Sequence, residues 1–312
     1  MKIAVFGSGA VGGYFGGRLA EAGEDVWFVA RGRHLDALRR DGLTIVSPKG
    51  DLRLGSVRAT DRPDEIGPVD AVMFAVKLYD AEAAAAGLGP LIGGGTAVLT
   101  IQNGVDVVDM VAGHVGREHV VGGAAYIMAA VEAPGRIRHS ANDRLVFGES
   151  DGSRSPRLTE FEAAAQRAGF AATLSENIHR DLWTKFVRLA TWSGMTAVTR
   201  STMGVILENP ALMRMMSSAL DEAIAVGRAA GVSLPSSLPE ETLTLVKSFP
   251  HGAKSSMLQD LEHGRRLELP WLSGAVCRMG REFGVQTPIH QFIATALDPF
   301  VAGSDDGHHD KP

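Results

Sequence analysis

Residues 2–12 read Lys2-Ile3-Ala4-Val5-Phe6-Gly7-Ser8-Gly9-Ala10-Val11-Gly12. Lys2 to Phe6 reads as a short, fully buried strand, and Gly7 ends it in a turn. From Ala10 the pattern becomes helical, runs to Ala22 and stops at Gly23, a suitable helix C-cap. The glycines in between fall as GxGxxG, and each has a steric task. Gly7 makes the tight turn, Gly9 admits a pyrophosphate close to the backbone, and Gly12 lets the helix lie against the sheet. The helix start then offers unpaired N–H groups and a positive dipole end to an anion. In a chain with 37 glycines the triplet alone decides little. Placed between a strand and a helix, it reads as a dinucleotide-binding turn, with Gly7, Ser8, Gly9, Ala10, Val11 and Gly12 as the predicted cofactor contacts.

The next strand, Asp25 to Ala30, tells which dinucleotide to expect. An acid about 20 residues past the glycines would hold the ribose 2′-hydroxyl of NAD. Here Ala30 fills that place and Arg31 follows it, so the sequence favours NADP(H), whose 2′-phosphate a guanidinium can pair with. Arg33 and His34 are expected to add positive potential. A charged helix over 33–40, strands over 70–76 and 96–101 and an alanine-rich helix over 80–86 continue the alternation, which predicts a parallel doubly wound sheet. After about residue 150 the texture changes. Asp151 to Pro156 is polar punctuation, Pro156 to Ala168 reads as an amphipathic helix, and from Asn177 helical patterns run to Phe300. Thr287-Pro288 is a helix start, with a capping hydroxyl before a proline at the first position. The predicted class is α/β: an N-terminal Rossmann doubly wound sheet over 1–176, an all-helical domain over 177–302, and a polar, disordered tail over 303–312.

A length of 312 residues suits two domains of ordinary size. The formal net charge of −5 supplies no global field toward nucleic acid or anionic lipid, so an anionic cofactor needs locally placed cations. The single cysteine, Cys277, excludes an intramolecular disulfide and lies in an apolar stretch as buried filler. The histidines show no HExxH or paired spacing, so no metal site is expected. Six glycines within residues 1–17 argue against a signal peptide, and the apolar run Val120 to Val131 is too short to span a bilayer. A cytoplasmic enzyme without nucleic-acid or membrane partners is expected. Gly148 to Gly152 matches GxSxG formally, but a polar stretch rather than a helix follows it, so it reads as a charged turn.

Several separated motifs then converge. They are GSGAVG with Arg31; Ala75-Val76-Lys77; Gln102-Asn103-Gly104; Leu182-Trp183-Thr184-Lys185; and Lys254-Ser255-Ser256-Met257-Leu258-Gln259-Asp260, followed by Glu268. In these the chain resembles the ketopantoate reductases (2-dehydropantoate 2-reductases) from residue 1 to about 300. The resemblance implies an NADPH domain, a helical domain, an active site in the cleft between them, and a homodimer. It implies reduction of a 2-oxo acid or related ketone to the alcohol, with Lys185 as proton donor. Lys77 and Asn103 would stand by the nicotinamide and substrate, Ser256 by the substrate carboxylate, and Glu268 by the nicotinamide ribose and the lysine. The chemistry independently suits a lysine. Hydride delivered to a ketone leaves an alkoxide, which needs a cation and a proton. Burial lowers a lysine pKa toward working pH, and a nearby Glu268 opposes that fall. Trp183 and Phe186 are expected to pack the lysine helix and fix the amine's direction.

The chain also departs from the family. Asparagines expected four, eight and eighteen residues after the lysine are Leu189, Ser193 and Met203, and one expected near Glu268 is Ser273. Lys185, Leu189 and Ser193, spaced by four, are expected to line one helix face beside the substrate. Loss of the amides points to a different or larger, less polar substrate than ketopantoate, another 2-oxo acid or a related ketone, and leaves a place in pantothenate biosynthesis open. Two other readings share parts of the pattern. One is a β-hydroxyacid or opine-type dehydrogenase, disfavoured by the SSMLQD string. The other is a non-catalytic NADP(H) sensor, disfavoured by the retained lysines, Asn103 and Glu268.

Overall fold

The protein is described here by a computed structural model covering Met1–Ser304. The strands are β1 (Lys2–Phe6), β2 (Asp25–Val29), β3 (Leu43–Val46), β4 (Leu52–Leu54), β5 (Arg58–Thr60), β6 (Ala71–Phe74), β7 (Ala97–Thr100), β8 (Val120–Ala133), β9 (Arg136–Gly148) and β10 (Ala171–Leu174). They form one sheet in the order β4-β3-β9-β8-β7-β6-β1-β2-β5, with β10 also paired to β9. From β5 through β2, β1, β6 and β7 to β8 every pairing is parallel. Central strands need apolar residues on both faces, and β6 and β7 are buried throughout.

The sheet is mixed rather than purely parallel. β8 and β9 form a long antiparallel hairpin, and β3 pairs antiparallel with β4. The apolar run Val120 to Val131 is thus the first strand of a hairpin, turned at Pro134-Gly135, where Gly135 takes φ +73°. Only the first half of β8 is buried; the rest lies progressively at the surface.

Five helices accompany the sheet: α1 (Ala10–Glu21), α2 (Gly32–Asp41), α3 (Leu78–Ala85), α4 (Val107–Val115) and α5 (Pro156–Arg167). Ser155 caps α5 by accepting from the Leu158 N–H. The core between α1, α5 and the sheet holds Ile3, Val5, Phe15, Leu19, Phe28, Phe147 and Phe161. The segment after Gly148 is a turn in which Glu149 accepts from Ser155 and pairs with Arg157 at 2.8 Å.

Every element after β10 among the described residues is helical. These are α6 (Ile178–Thr199), α7 (Met203–Glu208), α8 (Pro210–Ala229), α9 (Leu238–Lys247), α10 (Ser256–Glu262), α11 (Ser273–Phe283) and α12 (Pro288–Leu297). Their core contains Trp183, Phe186, Val187, Leu220, Ile224, Val276 and Ile293. Met216 is buried in it, Met213 and Met215 lean on it, and Cys277 is buried. Thr287 precedes α12, but its hydroxyl does not cap the helix. Glu222 of α8 does so instead, accepting from the N–H groups of Ile289 (2.9 Å) and His290 (3.0 Å).

The chain divides into two compact units. The first is Met1–Gln102 with Asp106–Asp181, and the second is Asn103–Val105 with Leu182 onward. Asn103 and Gly104 of the QNG segment, with Val105 after them, therefore belong with the helices, where Val105 packs against their core. The division on the C-terminal side falls within the first turn of α6, where no sequence punctuation marks it. Of the expected tail, Gly303 and Ser304 are hydrogen-bonded to the Phe300 and Gly264 carbonyls; residues 305–312 lie outside the described residues. Among the described residues no helix is long and apolar enough to cross a membrane.

Candidate active site

The turn between β1 and α1 is shaped by what a side chain would hit. At Gly7 (φ +99°) a Cβ would fall 2.6 Å from the Val76 nitrogen, and at Gly12 it would fall 2.3 Å from the Gly7 carbonyl oxygen. A Cβ at Gly9 would meet nothing within 4 Å. Gly9 is the N-cap of α1 and no side chain caps that end. The first-turn N–H groups of Ala10, Val11 and Gly12 therefore point out with no acceptor within the helix. Two glycines close the turn against the sheet and the third leaves room, so these residues fit a dinucleotide pyrophosphate. Ser8 plays another part. Its hydroxyl is buried and bonds the Val5 and Val29 carbonyls, and its N–H donates to Val29 O, so it ties β1 to β2.

At the end of β2, Ala30 is buried and Arg31 is exposed in extended backbone before α2. A cation thus stands where an acid would hold a 2′-hydroxyl. His34 does not add positive charge as expected. Its Nδ1 accepts from the Gly135 N–H, which requires an unprotonated nitrogen, and burial pushes its pKa below the ordinary histidine value. Lys77, also in the first unit, is exposed just before α3.

In the second unit, Lys185 lies two turns into α6. Trp183 and Phe186, buried beside it, meet edge to face with centroids 5.4 Å apart. A Cβ on Gly227 of α8 would fall 2.9 Å from the Trp183 ring, so glycine is what lets α8 approach. These contacts fix the rotation of α6 and with it the side of the helix that carries the lysine. Burial of the amine pulls the Lys185 pKa down to about 8, against the opposing pull of the Glu268 carboxylate. Glu268 is itself buried, and Asn103 Nδ2 donates to its Oε2 at 3.2 Å. A lysine with a proton affinity near neutrality, a buried carboxylate beside it and an amide holding that carboxylate are thereby gathered from three distant parts of the chain. Such a group can give up or take back a proton at working pH.

The remaining predicted residues separate. Leu189 is half-buried, one turn from Lys185. Ser193 is 0% exposed, and its hydroxyl has no hydrogen-bond partner among the described residues, so it does not line an open face. Eight residues turn a helix about 80° past alignment, enough to carry Ser193 inward. Ser273 is equally buried and its hydroxyl likewise lacks a partner among the described residues. Ser256 is exposed in the first turn of α10, while its neighbour Ser255 does the capping, accepting from Leu258 N–H. The side-chain amide of Gln102 is buried without a partner among the described residues. Met203 is buried in the helical core. Two aromatic residues outside every motif, Trp192 and Phe249, meet at 5.1 Å. The seven-residue spacing from Lys185 to Trp192 was the available signal for the first of them.

Comparison with known proteins gives the family. Residues 3–152 match the family Ketopantoate reductase PanE/ApbA, and residues 177–300 match Ketopantoate reductase PanE/ApbA C terminal. A 2-dehydropantoate 2-reductase of Mesorhizobium japonicum is 33% identical over 309 residues, spanning 92% of this chain and 94% of its own. An uncharacterised oxidoreductase of Bacillus subtilis, YkpB, is 31% identical, with 97% of this chain and 99% of its own covered. The crystal structure of 2-dehydropantoate 2-reductase from Geobacter metallireducens GS-15 superposes with a TM-score of 0.90 at 29% identity, covering 96% of this chain and 99% of that one. With both halves matched and relatives aligned over nearly its whole length, the chain belongs to the ketopantoate reductase family.

Proposed function

We propose that the protein reduces a 2-oxo acid to the 2-hydroxy acid with NADPH, Lys185 giving the proton. The observation that carries this reading is the half-buried lysine with its pKa near 8, beside Glu268 and Asn103. When bound, the reduced nicotinamide supplies the hydride that adds to the C2 carbonyl carbon. The carbonyl oxygen gains the two electrons of the broken π bond, and Lys185 Nζ donates a proton to it as the O–H bond forms. Before that transfer the ammonium stabilises the growing negative charge through space. Glu268 keeps Lys185 protonated at neutral pH against its burial, and Asn103 holds Glu268 in place. In this reading Asn103 and Glu268 also border the nicotinamide ribose, Lys77 attends the cofactor, and Ser256 receives the substrate carboxylate. Arg31 pairs with the 2′-phosphate, and the N–H groups of the first turn of α1 receive the pyrophosphate. Leu189 faces the substrate, whereas Ser193 supports α6 from within.

The test is NADPH oxidation with a panel of 2-oxo acids, comparing wild type with Lys185→Ala. The variant is expected to lose about 10²- to 10⁴-fold in kcat, the usual acid–base contribution. NADPH affinity by fluorescence titration should stay within about threefold, since no charge near the phosphates changes. Undiminished turnover by Lys185→Ala, or a wild type that reduces no 2-oxo acid, overturns the reading.

A further inference from the structure

We infer that the substrate of this enzyme carries an aromatic side chain on its 2-oxo acid, recognised by Leu189, Trp192 and Phe249. The inference rests on the proposed role of Lys185 and adds to it what stands beyond the reacting carbonyl.

At about 100° per residue, Leu189, Trp192 and Thr196 fall within about 40° of Lys185 and form one stripe along α6. Trp192 lies about 10 Å along the axis from the lysine, roughly the length of an arylalkyl 2-oxo acid. The stripe is apolar over that distance. Leu189 and Trp192 are half-buried, so each keeps part of its hydrocarbon surface open, and Phe249, also half-buried, meets Trp192 at 71° between ring planes. Val105, two residues from Asn103, leans on the same helical core. An edge-to-face ring pair offers a further ring both a face and an edge, the arrangement in which aromatic groups associate best.

Hydrogen-bonding capacity is missing along the same line. Ser193 is wholly enclosed. Thr196 shares a 2.7 Å hydrogen bond with Ser255 and a 2.8 Å bond with the Trp192 carbonyl, so its hydroxyl is already engaged. Asn103, Lys185 and Glu268 serve the keto end. A hydroxylated aliphatic side chain laid along this stripe would leave its hydroxyl desolvated and unpaired, whereas a ring loses nothing there.

The experiment uses phenylpyruvate and ketopantoate as paired probes. Both are assayed for turnover with NADPH, and for binding by calorimetry in the presence of NADP⁺. Wild type should favour phenylpyruvate in kcat/KM by about tenfold or more, the scale on which apolar pockets discriminate. Trp192→Ala should cut the phenylpyruvate-to-ketopantoate ratio by about 10- to 100-fold. Leu189→Asn, which leaves the Trp192–Phe249 pair alone, should move the same ratio toward ketopantoate. A wild-type preference for ketopantoate overturns the inference, as does a Trp192→Ala variant that loses both probes by one factor. Absence of turnover with selective phenylpyruvate binding intact would instead defeat the reductase reading and leave the aromatic subsite standing.

Discussion

The glycine turn at the head of the chain and the lysine helix in its second half are built on opposite plans. The turn is made of backbone, and its glycines matter for atoms they lack. Its tolerances are steric and differ from one glycine to the next. The lysine cluster is made of side chains drawn from across the sequence, with Asn103 and Glu268 separated by 165 positions. In the proposed reading its working property is a proton affinity, lowered by burial and raised by the Glu268 carboxylate. Adding one carbon should therefore break the first region, whereas removing one charge should retune the second without unfolding it.

The largest effect is expected at Gly12. A Cβ there would stand 2.3 Å from the Gly7 carbonyl, part of a turn pinned by the N–H bonds of Gly7 and Ser8 to Val29 O. Gly12→Ala should cost about 3 kcal/mol in urea unfolding, at the upper end of overpacking effects. Gly9→Ala adds the same carbon to open space and should leave stability within about 0.5 kcal/mol. On the proposed placement of the pyrophosphate it should nevertheless weaken NADPH binding, because the carbon enters that open space. Equal unfolding of the two variants would contradict the steric difference drawn between the two positions.

In the lysine cluster, Glu268→Gln keeps an acceptor for Asn103 while removing the charge. The folded Lys185 pKa, already lowered to about 8 by burial, loses the pull of Glu268 that raises it and should fall further. With the ammonium as donor, as proposed, kcat for reduction should decline about tenfold per pH unit above the folded pKa, and alcohol oxidation, which needs the free amine, should rise with pH up to that pKa and level off above it. For wild type both midpoints should fall near the Lys185 pKa of about 8. In the variant both should move to lower pH by about one unit, equivalent to about 1.4 kcal/mol. An unmoved midpoint would mean that the carboxylate does not act on the amine. At the other region, Arg31→Ala removes an exposed guanidinium and should weaken NADPH binding by about tenfold while leaving NADH affinity unchanged. Equal losses for the two cofactors would remove the case for a 2′-phosphate contact.

What the sequence reveals follows the same division. The turn lies within twelve consecutive residues, so strand, glycines and helix are read together, and β1 runs over Lys2–Phe6 as its apolar pattern predicts. β6 and β7 are legible because continuous burial leaves continuous apolar runs. The β8–β9 hairpin is hidden, because half of β8 is buried on both faces and half is exposed, so neither alternation nor a uniform run covers it. Strands of three or four residues, such as β4 and β5, carry too few positions for any period. In the lysine cluster the residue types are legible through motifs, but their assembly is not, since Asn103 and Gly104 of the QNG segment join the helical unit. Ser193 shows the limit of spacing arguments: a position near a helix face can still turn into the core. His34 shows the limit of counting charges, because its Nδ1 accepts from the Gly135 N–H and burial lowers its pKa.

The smallest effect tests that lesson at a helix end. Thr287-Pro288 marks the start of α12 correctly, because proline at the first position gives up an N–H that had no acceptor. The cap itself comes from Glu222, whose carboxylate spans the Ile289 and His290 N–H groups and places a negative charge at the positive end of the helix dipole. Glu222→Gln keeps one acceptor and loses the charge, so it should cost about 1 kcal/mol in thermal or urea unfolding. Thr287→Val preserves shape and deletes the hydroxyl, and should cost less than about 0.5 kcal/mol. Were Thr287→Val the more damaging of the two, the hydroxyl would be the true cap. Helix termini would then be readable from neighbouring residues alone, in the way that the glycine turn is and the lysine cluster is not.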